Sequence, residues 1–244
     1  SMIIWQQKTN EKGEKKMLEA KSKVAFLEQV NQIEVPEQFL EQMQQYEEMI
    51  VMYRCAIREV QTKLEILNDA LSVRYKRNPI NFIKSRIKSP VSIMNKLERR
   101  GLEISLESIE KNLNDVAGIR VVCHFVDDIY DVAHMLAIQD DLKILQIKDY
   151  IKNPKENGYR SYHMIVEVPV FLPKRKKPMR VEVQIRTIAM DFWASLDHQL
   201  RYKKDIENSE EILKELKECA EIISSTDYQM QKIRKKIEKV TEGS

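Results

Sequence analysis

Two carboxylates, two groups of cations and one tyrosine carry the chemistry this sequence offers. Asp115 stands in Asn114-Asp115-Val116-Ala117-Gly118-Ile119-Arg120, just ahead of an apolar run. A carboxylate at a strand edge suits Mg²⁺, which takes oxygen ligands and keeps several waters. A loop Asp paired with Arg120 is the bland alternative. Glu182 stands in Arg180-Val181-Glu182-Val183-Gln184-Ile185-Arg186. Strict alternation puts Val181, Val183 and Ile185 on one face and Arg180, Glu182, Gln184 and Arg186 on the other. An exposed polar edge would give the same pattern. The apolar, aromatic Met190, Phe192 and Trp193 that follow argue for a sheltered site, so Glu182 is a candidate base or metal ligand.

The first group of cations lies in 84–100: Lys84, Arg86, Lys88, Lys96, Arg99 and Arg100, against the single acid Glu98. Ser89-Pro90 reads as a helix start, with Ser as cap and Pro in the first position. On that helix Ser92, Lys96 and Arg99 share one face, with Val91, Ile93, Met94 and Leu97 opposite. The positive end of the helix dipole lies beside Arg86 and Lys88. Such a patch can bind a polyphosphate, although a charged helix face is more often simply solvated. The second group lies in NPKENGYRSYH, residues 153–163. It offers Lys155, Arg160 and His163 for phosphates and Tyr159 for stacking on a base, while Gly158 permits an unusual turn. Each cluster is weak alone. Together they favour phosphoryl or pyrophosphoryl transfer with Mg²⁺.

Other chemistries lack their residues. No GxxxxGK[ST] and no GxGxxG occurs, so phosphates must be held by side chains rather than a glycine cradle. The histidines His124, His134, His163 and His198 form neither an HExxH pair nor a His-Asp dipeptide, and no GxSxG elbow exists. Cys55, Cys123 and Cys219 are far apart with no CxxC, which argues against a disulfide framework or a zinc site. The net charge of +3, from 41 basic and 38 acidic residues, is too balanced to announce a nucleic-acid binder. No run of about 18 apolar residues suggests a membrane span, and the start lacks a signal-peptide core, so a cytoplasmic protein is expected.

The elements that must position these residues follow from periodicity. At 244 residues the chain is long enough for one or two domains. A helix with a thin apolar face fits 14–30. A long helix fits from Pro36 to Tyr75, carried by Phe39, Leu40, Met43, Tyr46, Ile50, Tyr53, Ile57, Val60, Leu64, Leu67 and Leu71. It stops before Asn78-Pro79. Short helices follow at 90–100 and 106–113. Strands are predicted at 119–125, 143–148, 162–171 and 179–186, with helices at 129–138 and 188–202, the latter capped by Thr187. Residues 210–240 read as one or two final helices. The run Lys174-Arg175-Lys176-Lys177 reads as a solvated hairpin tip. Alternation between residues 79 and 203 predicts an α/β domain with a mixed sheet and helical arms.

The segments RIKSPVSIMNKLERRG, LNDVAGIRVVCHF, DYIKNPKENGYRSYH, VEVQIRT and MDFWASLDH resemble, in order and spacing, the synthetase domain of the RelA/SpoT family. The likeness spans about residues 78–203, and the helical flanks look like the stand-alone small alarmone synthetases. It implies an α/β (α+β), nucleotidyltransferase-like fold with a mixed sheet of about five strands and flanking helices. The chain would divide into an N-terminal arm (1–77), a synthetase domain (78–203) and C-terminal helices (204–244). The implied activity is that of a GTP pyrophosphokinase: ATP donates its β,γ-pyrophosphate to the 3′-hydroxyl of GTP or GDP. Asp115 and Glu182 would hold Mg²⁺, and Glu182 would also orient or deprotonate the 3′-hydroxyl. Arg86, Lys88, Ser92, Lys96, Arg99 and Arg120 would serve ATP, with Arg86 and Arg120 stacking on adenine. Tyr159 would stack on guanine, with Lys148, Lys155, Asn157, His163 and Gln184 around the acceptor. A homotetramer is implied as well. One subgroup is stimulated by its own alarmone through a Lys, a Phe and an Asn. Phe82 matches, but Glu65 and Asp191 replace the other two, and two acids would repel a polyphosphate, so weak or absent activation is expected. A non-catalytic member binding nucleotides or single-stranded RNA, and a helical scaffold, are the rival readings.

Overall fold

The computed structural model of the chain describes residues 37–173, 175–201 and 210–242. The helix expected over 14–30 and the side chain of Lys174 lie outside them. The chain divides into two compact units, residues 1–47 and 48–244, and the site belongs to the second.

Helix α1 (Glu37–Tyr75) carries the expected three- and four-residue apolar spacing. From Met49 onward that stripe is buried: Met52, Tyr53, Ala56, Val60, Leu64, Leu67 and Leu71. Leu40 and Met43, which belong to the same stripe in the sequence, are exposed. Next comes strand β1 (Ile80–Ile87), then helix α2 (Pro90–Arg99), capped by the Ser89 hydroxyl, and helix α3 (Leu106–Asn112), capped by Ser105. Strand β2 (Ala117–Cys123), helix α4 (Val126–Ala137) and strand β3 (Lys143–Asp149) follow. Strands β4 (Tyr162–Leu172) and β5 (Arg175–Thr187) form a long hairpin. Helices α5 (Ile188–Arg201) and α6 (Glu210–Glu242) complete the described chain.

The sheet order is β1-β2-β5-β4-β3, with β2 and β5 parallel and the other pairs antiparallel. The fold is therefore α/β with a mixed five-stranded sheet. The alternation read from β5 holds, since Val181, Val183 and Ile185 are fully buried. Ile129, Val132, Ala133 and Leu136 of α4 supply a helical face to the same core.

Three local features go beyond or modify the expectations. Residues 80–87, to which the sequence assigned no element, form an edge strand; its register shifts between Ile80 and Phe82, which breaks the alternation a strand should show. On α2 only Ile93 and Leu97 are buried, while Val91 and Met94 are exposed, so the apolar face is narrower than its spacing suggests. Arg175 and Lys176 are exposed beside the tip of the β4–β5 hairpin, as expected, but Arg175, Lys176 and Lys177 belong to β5 and have partners. Arg175 pairs with Glu48, Lys177 with Glu110, and Lys176 sits over the Phe171 ring.

Candidate active site

Strand register gathers the polar residues. Directly paired residues present their side chains on one face of a sheet. Lys84, Arg120, Gln184, His163 and Lys148 are paired in succession, so one polar row crosses all five strands. The next row reads Arg86, Gly118, Glu182. Gly118 lies between the other two, and the Arg86 side chain passes against it, with Cγ 3.8 Å from where a Cβ would stand. Asp115 sits just ahead of β2. A cleft of about 180 Å³ is lined by Lys84, Arg86, Asp115, Gly118, Arg120, Glu182 and Gln184.

Asp115 is gripped from α2 and its approach. The ammoniums of Lys96 and Lys88 both reach its Oδ2, at 2.6 and 2.9 Å. Burial works to raise the Asp115 carboxyl, but the two lysines outweigh it and hold it below the usual carboxylate range. Its Oδ1 is buried without a hydrogen bond, a lone pair set that a hard cation could use.

Glu182 is set from within the sheet. His163 Nδ1 lies 3.4 Å from its Oε1, and Gln184 Nε2 donates to its Oε2 at 2.9 Å. Burial raises this carboxyl too; His163 and Gln184 win, and the net shift is downward, with Asp115 opposing them as a like charge. Among the described residues no group of three or more His, Cys, Asp and Glu is close enough to make an all-protein metal cage. Two carboxylates facing a phosphate-sized cleft still fit Mg²⁺, which commonly takes one or two carboxylates and completes its shell with waters and substrate phosphates.

The 150–161 loop brings the aromatic side. Asp149 Oδ1 accepts from the backbone N–H of Ile151 and Lys152, which starts the loop. Lys155 N–H bonds Tyr159 O, and Gly158 N–H bonds Lys155 O at 2.8 Å. Gly158 has φ +86°, and a Cβ there would lie 2.4 Å from Ala220 Cβ of α6, so only glycine fits the turn against that helix. The Tyr159 hydroxyl then meets His163 Nε2 at 2.9 Å and accepts from Arg186 at 2.6 Å. Because Arg186 can only donate, the hydroxyl proton is free to point at Nε2, which leaves a proton on Nδ1 to face Glu182. Lys155 Nζ stands over the rings of both Tyr150 and Tyr159, and Tyr150 packs edge-on against Tyr159 and His163. Asn157 accepts from Tyr159 N–H and reaches Asp197.

The structure thus brings Arg86, Asp115, Arg120, Glu182 and Gln184 to one cleft, with Lys88 and Lys96 ion-paired to Asp115, His163 beside Glu182 and Tyr159 hydrogen-bonded to His163. Lys148 joins through the register, and Lys155 and Asn157 through the loop. The hydrogen bonds of Ser92 and Arg99 stay on α2 or its cap: Ser92 bonds Ser89, and Arg99 Nε donates to Asn95 O. Arg160, read as a phosphate ligand, instead donates to the carbonyls of Gly158 and Ala220 and ties the loop to α6. Four residues were not assigned from sequence: Lys84, Tyr150, Arg186 and Asp191. Lys84 was visible in the basic cluster and Arg186 on the polar face of β5. Asp191 carried a different expectation, that of an acid repelling a second polyphosphate. Its carboxylate is bound by Arg186 at 3.0 Å and Arg120 at 3.2 Å, so it presents no unopposed charge. That part of the repulsion argument falls away, leaving Glu65, which accepts from Gln61 on α1.

The profile of the region found in RelA/SpoT proteins matches residues 85–207. The chain is 42% identical to the GTP pyrophosphokinase YwaC of Bacillus subtilis over 196 residues, covering 80% of this chain and 93% of the relative. It is 38% identical to the GTP pyrophosphokinase YjbM of the same organism, over 80% of this chain and 90% of that one. The crystal structure of small alarmone synthetase 1 from Bacillus subtilis, bound to its product pppGpp, superposes with a TM-score of 0.72 at 38% identity, covering 79% of this chain and 98% of that chain. A structure of the same synthetase bound to AMPCPP gives a TM-score of 0.67 at 34% identity, over 80% and 99% of the two chains.

Proposed function

The chain belongs to the RelA/SpoT family, and from that membership we infer that it works as a small alarmone synthetase. It is a GTP pyrophosphokinase: it moves the β,γ-pyrophosphoryl group of ATP to the ribose 3′-hydroxyl of GTP or GDP, releasing AMP and (p)ppGpp. The observation that carries this reading is the joint presence of Asp115 and Glu182 in one cleft, with cations on the α2 side and the Tyr159 ring on the loop side.

In the reaction the 3′-oxygen bonds to the β-phosphorus of ATP, the bond from that phosphorus to the α,β-bridging oxygen breaks, and the hydroxyl proton departs. Lys88 and Lys96 hold the donor phosphates, with Ser92 and Arg99 further along α2, while Arg86 and Arg120 flank adenine. Tyr159 stacks under guanine, and Lys148, Lys155, Asn157 and His163 meet the acceptor phosphates. Glu182, kept ionised by His163 and Gln184, accepts or orients the 3′-proton. Fixing both nucleotides in line removes much of the entropic barrier, and preorganised cations offset the charge on the transferred group. Asp115 and Glu182 would hold Mg²⁺, which when bound neutralises charge on the phosphoryl oxygens.

Residues 78–203 would form the synthetase domain, between the arm 1–77 and the helices 204–244. The homotetramer implied by the family has a candidate surface on α5, where Ile188, Phe192, Leu196 and Leu200 recur every four residues and are all exposed. Among the described residues no helix is long and apolar enough to cross a membrane. The nucleotide substrates of the proposed reaction suit a cytoplasmic enzyme.

The test is an incubation of purified protein with Mg²⁺, labelled ATP and GDP, resolved by anion exchange. AMP and a guanosine product with two added phosphates should appear in equal amounts. Nucleotide binding without product would point to a non-catalytic nucleotide or RNA binder.

A further inference from the structure

Asp191, at the start of α5, belongs to none of the assigned nucleotide contacts, yet one of its oxygens holds two arginines from different sides of the site. Oδ1 accepts from Arg186 Nη1 at 3.0 Å and pairs with Arg120 Nη1 at 3.2 Å. Arg120 stands on the donor side, in the cleft with Arg86. Arg186 stands on the acceptor side: its Nη2 donates to the Tyr159 hydroxyl at 2.6 Å and to Gln184 Oε1 at 2.9 Å. Gln184 in turn donates to Glu182. A continuous chain therefore runs from Arg120 through Asp191 and Arg186 to Tyr159, His163 and Glu182.

The charges make this bridge necessary. Register places Arg120 opposite Gln184 and Arg186 two residues further along the same face of β5, so the guanidiniums are diagonal neighbours. Burial, then the nearby Arg186 and Arg86, push the Arg120 guanidinium down, and Asp191 is the carboxylate that opposes them. An Asn at 191 would keep the shape and lose the counter-charge, leaving like charges to separate.

We propose that Asp191 is a positioning residue that couples the two nucleotide subsites. An acceptor base on Tyr159 fixes Arg186; through the shared carboxylate this fixes Arg120 in the orientation that receives the donor base. The inference rests on the pyrophosphokinase reading. Coupling of this kind is reciprocal and commonly amounts to a change in affinity of about fivefold or more.

The experiment is equilibrium titration with α,β-methylene ATP, with and without saturating GDP, on the wild type, Asp191→Asn and Asp191→Glu. In the wild type GDP should tighten analogue binding about fivefold or more. In Asp191→Asn each nucleotide should still bind, with the effect of GDP falling below about twofold, and Asp191→Glu should restore part of it. A purely structural role would weaken both nucleotides alike without changing their ratio, which would overturn the proposal. Equal coupling in the wild type and Asp191→Asn, or none in the wild type, would overturn it too while leaving the enzymatic reading intact. Failure of both nucleotides to bind the wild type would overturn both.

Discussion

At the residue scale the site works by pairing each carboxylate with groups that keep it charged. Lys88 and Lys96 do this for Asp115, and His163 and Gln184 for Glu182. Both carboxyls sit below their ordinary values, so the native state binds fewer protons than the unfolded chain. The stability they contribute is complete above the unfolded carboxyl range, about pH 4, and is lost as pH falls through the lower native values. Unfolding midpoints between pH 2 and 6 should therefore drop more steeply for the wild type than for Asp115→Asn; parallel curves would contradict this. Tyr159 offers two separable features, a ring face proposed to stack on guanine and a hydroxyl between Arg186 and His163. Tyr159→Phe should leave KM for GDP within about twofold and lower kcat by about tenfold, the scale of one lost hydrogen bond to a charged group. Tyr159→Ala should raise KM for GDP by tenfold or more, since base stacking is worth about 1–3 kcal/mol. Steady-state kinetics with both variants separates the two roles. The types of these residues were readable from the sequence, but their connections were not. Nothing in local spacing says that Arg186 reaches Tyr159, 27 residues earlier, or that Asp191 would be claimed by two arginines.

At the element scale the sheet was legible where alternation is clean and obscure where it is not. Strand β5 follows its period, so Glu182 and Gln184 could be assigned to the polar face beforehand. Strand β1 does not: its register slips after Ile80, most of it is exposed, and its Lys84, Ser85 and Arg86 look like the approach to a helix. The basic run at 175–177 carried no sign of its partners Glu48 and Glu110, which come from α1 and α3. The 150–161 loop depends on α6 in the same non-local way, through Arg160 and through the contact of Gly158 with Ala220. Gly158→Ala combines a left-handed φ with a collision, so it should destabilise by about 2–4 kcal/mol and raise KM for GDP. A urea midpoint equal to the wild type would show that the loop yields without cost.

At the scale of the whole molecule, the exposed stripe of α5 is the feature one copy leaves unexplained. Ile188, Phe192, Leu196 and Leu200 recur at four-residue steps, and the sequence marks them apolar without saying whether core or partner covers them. If copies of the chain assemble through this face, sedimentation velocity should give four times the 28.9 kDa chain mass for the wild type and a smaller species for Phe192→Asp combined with Leu196→Asp. Both residues are exposed, so the variant should fold; a wild type that sediments as a single copy at micromolar concentration would remove the tetramer from the account.

The cleft holding Asp115 and Glu182 is proposed to transfer pyrophosphate to a guanosine 3′-hydroxyl. The most direct test compares the wild type with Glu182→Gln in one assay with Mg²⁺, ATP and GDP, with nucleotide binding measured alongside. The wild type should give AMP and 3′-pyrophosphorylated GDP, and the variant a rate lower by about a thousandfold, several kcal/mol of lost transition-state stabilisation, with GDP binding within a few-fold of the wild type. Comparable alarmone output from Glu182→Gln would contradict the role given to Glu182, and no product from a wild type that binds both nucleotides would contradict the activity itself.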